Sequence, residues 1–68
     1  MMDVAKVIEI VASSPKSFED AMHQGIQKAS SSLHGITGVK VKDWTAKVEN
    51  NHVTKYKVTM DVAFRLDD

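Results

Sequence analysis

The chain has 68 residues, with nine lysines and arginines set against nine aspartates and glutamates, and no cysteine. A domain this small hides only roughly 60% of the surface its unfolded chain exposes and needs a further stabiliser; with disulfides and thiolate metal sites excluded, self-association is the default. Zero net charge argues against a nucleic-acid binder, which normally carries a basic excess, and no stretch approaches the roughly 20 apolar residues of a membrane span.

Asp3 follows the two opening methionines, and Glu9 interrupts the apolar run over 7–12, so the start does not resemble a secretory signal. The expectation is a soluble, cytoplasmic protein of one domain over 1–68. Residues 4–12 (V-A-K-V-I-E-I-V-A) are β-branched and apolar apart from Lys6 and Glu9, and are read as a first strand. Its nearly continuous apolar content fits cover on both faces, one by a helix and one by a neighbour. Ser13-Ser14-Pro15 then ends it, because proline lacks a donor and turns the preceding residue from helical geometry.

Ser17 is the expected N-cap of a helix over about 17–34, with Glu19 and Asp20 at the positive end of its dipole. Phe18, Ala21, Met22, Gly25, Ile26, Ala29 and Leu33 follow the i, i+3, i+4, i+7 rule. Ala21, Gly25 and Ala29 thin this stripe, which lets the helix lie close to a sheet. Gly35 is the expected residue just past the helix end.

A second strand spans 36–49, and its alternation changes phase. Val39 and Val41 share one parity while Trp44, Ala46 and Val48 share the other, the mark of a β-bulge or of a strand buried on different faces in its two halves. Asn50 and Asn51 tolerate left-handed geometry and make a tight hairpin turn. The third strand, 53–66, alternates strictly: Tyr56, Val58, Met60, Val62, Phe64 and Leu66 against Lys55, Lys57, Thr59, Asp61 and Arg65. It is far longer than the usual five or six residues, and one short helix cannot cover it, so other subunits must. The fold expected is α+β, in the order β-α-β-β, with a three-stranded antiparallel sheet wrapped around one helix.

The K-V-I-E-I opening at 6–10, the S-S-P-K-S-F-E-D-A passage at 13–21 and the Y-K-V-T-M-D-V-A-F-R-L ending at 56–66 resemble the dodecin family, and the likeness spans essentially the whole chain without a gap. The resemblance implies a hollow spherical homododecamer. It also implies a small ligand of flavin type, riboflavin or FMN, stored or quenched between tryptophans of symmetry-related subunits rather than transformed. Gly38, in T-G-V-K-V, stands where flavin-binding members carry the stacking tryptophan of a D-W-F-E-V-like passage. Lys57, in Y-K-V, stands where they carry the glutamine that bonds the flavin ring. An aromatic–flavin stack is comparable to a base–aromatic stack of about 1–3 kcal/mol, so losing two of these per site weakens binding by roughly tenfold to several hundredfold or more. Arg65 matches the basic residue of the F-R-L ending, which implies contact with a nucleotide phosphate; an intersubunit ion pair is the plainer reading.

Trp44 shares parity with Gly38 but lies six residues along, near 20 Å at about 3.3 Å per residue. It packs in an interface or core, or reaches a different pocket between subunits. Some dodecin-like proteins without the tryptophan are associated with calcium, which makes a structural or calcium-binding assembly the alternative. Glu9, Asp43, Glu49, Asp61, Asp67 and Asp68 supply carboxylates, without an EF-hand-like loop. His23, His34 and His52 lack metal-ligand spacing and are read as solvated. There is no phosphate-binding glycine motif and no nucleophile–base pair, so an enzyme is not expected.

Overall fold

The computed structural model describes residues 4–66. In chain order these form β1 (Ala5–Ser14), α1 (Phe18–Ser30), β2 (Ile36–Glu49) and β3 (His52–Arg65). The sheet order is β1-β3-β2, antiparallel throughout, so the last strand is the central one. That position explains its sequence. Val58, Met60 and Val62 are fully buried beneath the helix, while Lys55, Lys57 and Arg65 on the other face stay exposed. A 14-residue strand is about 46 Å long and a 13-residue helix about 20 Å, so the hairpin runs well past the helix.

The core lies under α1, where Ala21 meets Val58 and Met60, with Ile10, Ala12 and Val41 packed around them. The thin helical stripe has the expected effect. A Cβ at Gly25 would lie 2.8 Å from Met60 Cε and 2.9 Å from Ala12 Cβ, so only glycine permits this approach. At the helix start, Ser17 Oγ accepts from the Asp20 amide at 2.9 Å, the expected N-cap. The Asp20 carboxylate accepts instead from the buried Ser14 hydroxyl at 2.5 Å, tying the end of β1 to the first helical turn.

Three boundaries differ from expectation. β1 continues to Ser14, because Ser13 and Ser14 still pair with Lys57 and Tyr56. The helix ends at Ser30 rather than near 34. Ser30 and Ser31 turn their hydroxyls back onto the carbonyls of Gln27 (2.8 Å) and Lys28 (2.6 Å), a local alternative to continued helix. Gly35 is left-handed (φ 74°), but it turns the chain into β2, with its carbonyl accepting from the Arg65 amide at 3.0 Å. β3 ends at Arg65, and Leu66 beyond it is half exposed.

The phase change in β2 is a bulge. Val41 opposes Met60 and Asp43 opposes Thr59, leaving Lys42 as the extra residue; Thr37 and Thr54 are extra at two further register shifts. Val39 and Val41 before the bulge and Trp44 and Ala46 after it thereby face the same side. Asn50 (φ 53°) and Asn51 (φ 66°) make the two-residue turn, with positive φ at both positions as type I′ requires.

Candidate functional site

Residues opposite each other in an antiparallel ladder share a face, so the register sorts the candidate side chains onto two surfaces. Gly38 pairs with Ala63 and Lys40 with Asp61, on the face away from the helix. A shallow recess of about 300 Å³ lies there, floored by Val7 and Ala63, with Gly38, Lys40 and Asp61 among its lining. A Cβ at Gly38 would meet nothing within 4 Å. Beside the recess the bulged Lys42 reaches across β3 to Glu9 at 2.7 Å, with Asp61 at 4.0 Å. The hydrogen bond to Glu9, then the Asp61 charge, holds the Lys42 ammonium above its ordinary pKa.

Trp44 is on the other face. It pairs with Val58, and its ring meets Phe18 edge-on at 5.2 Å; Phe18 meets Tyr56 in the same manner at 5.0 Å. Counting parity along β2 puts Trp44 and Gly38 on one side, but the bulge at Lys42 reverses the alternation between them. Trp44 packs against the first residue of the helix and remains 52% exposed, so one side of the indole is open to a neighbour.

Lys57 shares the face of Gly38 but lies six residues from Ala63 along β3, about 20 Å away. It borders a second recess, about 560 Å³, with Thr45, Ala46, Lys47 and Lys55. Arg65 lies at the opposite end, beside Gly35 and a recess shared with His34 and Phe64. It has no carboxylate within 4.0 Å among the described residues. Gly38, Lys57, Trp44 and Arg65 therefore do not converge within one chain. Only a second copy can bring Lys57 towards the recess at Gly38.

Among the described residues no three histidine, aspartate or glutamate side chains are grouped to hold a metal ion. Asp67 and Asp68 lie outside the described residues. His23, His34 and His52 are exposed. No described helix is long and apolar enough to cross a membrane. Sequence reasoning overlooked the meeting of Lys47, Lys55 and Lys57. Its available signal was the K-x-K spacing at 55 and 57, facing a lysine across a two-residue turn.

The dodecin family model matches residues 4–67. The chain is 31% identical over 65 residues to the calcium dodecin of Mycobacterium tuberculosis, covering 96% of this chain and 92% of that protein. It is 28% identical to a dodecin of Thermus thermophilus over 68 residues, 100% of this chain and 99% of the relative. In structure it is similar to the dodecin of Streptomyces davaonensis, with a TM-score of 0.92 and 32% identity over 97% of each chain.

Proposed function

This chain belongs to the dodecin family, and from that premise we propose that it assembles as a hollow cytoplasmic homododecamer that binds and stores a small flavin-type ligand without catalysis. The observation that carries this reading is the open recess at Gly38. Where the resemblance places a stacking ring there is unfilled space over an apolar floor of Val7 and Ala63. A flat ring system can lie on such a floor by apolar contact alone, with Lys57 of another copy as a polar partner in place of glutamine. Without the indole sandwich, binding is weaker than in a stacked site by the tenfold to several hundredfold or more estimated above.

Exposed apolar side chains support the assembly. Val7 and Val11 on the open face, and Val48 and Val53 near the hairpin tip, are each 44–62% exposed. A domain with so small a core gains most by covering them with copies of itself. Light scattering should give a mass near twelve times the 7.5 kDa chain; a monomer at micromolar concentration overturns the assembly. Riboflavin and FMN titrations, followed by flavin fluorescence and calorimetry, test the ligand. No saturable binding at micromolar to high-micromolar flavin removes it.

A second reading is favoured by the missing ring at Gly38 and by the relative named calcium dodecin. In it the shell has lost flavin and has a structural or calcium-binding role. A calcium site of three or more carboxylates would combine side chains from several copies, since none is grouped among the described residues of one chain; Glu9 and Asp61, opposite each other in the ladder, are one pair that could contribute. Calcium should then raise the melting temperature and EDTA reverse the rise, because a ligand of the native state stabilises by mass action. An unmoved transition counts against the ion.

A further inference from the structure

We propose that Lys47, Lys55 and Lys57, at the hairpin end of the open face, form a binding site for a small anion carrying two or more linked phosphates. The strip shares Lys57 with the proposed flavin pocket, but riboflavin carries no phosphate, so riboflavin binding and tripolyphosphate binding are separate readouts.

The register makes the site. Lys47 is directly opposite Lys55, and Lys57 is two residues further along the same face. Lys57 in turn lies between Thr45 on β2 and Ser13 on β1. Like charges directly opposite in a ladder are destabilising, and little nearby relieves them. Lys47 has Glu49 at 3.6 Å, while Lys55 and Lys57 have no carboxylate within 4.0 Å among the described residues. Elsewhere on this face the same sequence neutralises a lysine closely, with Lys42 at 2.7 Å from Glu9. Charge compensation is thus close at Lys42 and, at the hairpin end, limited to the one exposed pair of Lys47 with Glu49.

The chemistry of the strip selects its ligand. Ammonium groups are donors only, and the flanking Ser13 and Thr45 hydroxyls can donate as well. A group that is all acceptor and multiply charged answers every one of them, and phosphate does so. Lys47 and Lys55 stem from points about 5 Å apart across the ladder, and Lys55 and Lys57 from points about 6.6 Å apart along it. A chain of linked phosphates spans these points better than a single one. The adjoining recess of about 560 Å³ leaves room for it and for an attached organic group.

The test is calorimetric titration of the intact, assembled protein with inorganic tripolyphosphate at low ionic strength, with orthophosphate for comparison. Saturable binding of tripolyphosphate, tighter than orthophosphate and weakened by salt as exposed charges are screened, is the expected result. The Lys55→Gln/Lys57→Gln variant should weaken it by about tenfold, and Lys28→Gln, on the exposed side of the helix, should leave it unchanged. Absence of saturable binding, an undiminished affinity in the double variant, or an equal loss in Lys28→Gln overturns the proposal. Light scattering supplies the remaining arm. If the double variant loses mass, carboxylates of a second copy already occupy the strip, and the proposal fails in favour of an interface.

Discussion

Gly25 is the glycine at which an added Cβ would meet the sheet most closely, and Gly25→Ala tests that contact. The added methyl would lie 2.8 Å from Met60 Cε and 2.9 Å from Ala12 Cβ, with Ile10 Cδ1 at 3.5 Å, whereas carbon atoms prefer about 3.5–4.0 Å. Met60 Cε ends a flexible side chain and can swing away. Ala12 Cβ is fixed to the backbone of β1, so relief there requires α1 to lift from the sheet. Overpacking of this kind costs about 1–3 kcal/mol. Alanine recovers up to about 1 kcal/mol through its better helix propensity. With one yielding and one rigid contact, the net loss should be about 1–2 kcal/mol, or about 5–15 °C in melting temperature for a domain of this size. Thermal unfolding by circular dichroism at one fixed protomer concentration measures it, with Gly38→Ala as the control because a Cβ there meets nothing. Adding Ala12→Gly should recover part of the loss, as a coupling beyond the sum of the single changes. A Gly25→Ala protein that melts at or above the parent temperature refutes the reasoning.

Gly38→Trp should enter the open recess without displacing neighbours and restore an aromatic surface. Flavin affinity measured by fluorescence quenching should rise by about tenfold to a hundredfold, and an unchanged affinity would separate the recess from flavin binding. The Ser14 hydroxyl is the main cause that holds the Asp20 carboxyl below the ordinary carboxylate pKa. A carboxyl depressed on folding contributes stability above its unfolded pKa and loses it as pH falls through the folded value. In Ser14→Ala the Asp20 titration followed by NMR should move upward, and the protein should melt lower at neutral pH with less further loss on acidification; a stationary titration contradicts the assignment. Asn51→Val forces a β-branched residue into a left-handed position (φ 66°) and should cost about 1–2 kcal/mol in chemical denaturation, whereas Asn51→Gly should be nearly neutral.

Local signals carried most of the fold. Strict alternation from Tyr56 to Phe64 marks the strand that proves central, and the broken alternation after Val41 leaves a bulge or a change of buried face, of which the register shows the bulge. Two asparagines gave the turn. The helix end was misjudged because Leu33 continues the apolar period, while the serines before it bond to their own carbonyls, a competition that periodicity does not register. The faces of Gly38 and Trp44 were misjudged for a related reason: parity counts are valid only until a residue is inserted, and Lys42 is that residue. The candidate site was less legible. Gly38 and Lys57 are distant in one chain, so any site uniting them depends on symmetry that a single sequence does not encode locally. The lysine strip depends on register across a turn, which emerges only once the ladder is fixed.

Placing the last strand in the middle leaves β1 and β2 as the two margins of the sheet. A margin of unpaired amides and carbonyls invites a further strand, and long flat margins grow into fibrils. Here the β2 margin is interrupted at Thr37 and again at Lys42, and each extra residue bends the ladder and shifts its hydrogen-bond spacing. A strand from another molecule cannot pair with it in continuous register over its 14 residues. The β1 margin carries no such interruption, since its register is unbroken from Ala5 to Ser14. The same inserted lysine that turns Trp44 to the helix side thus blunts one of the two margins at which a sheet can grow.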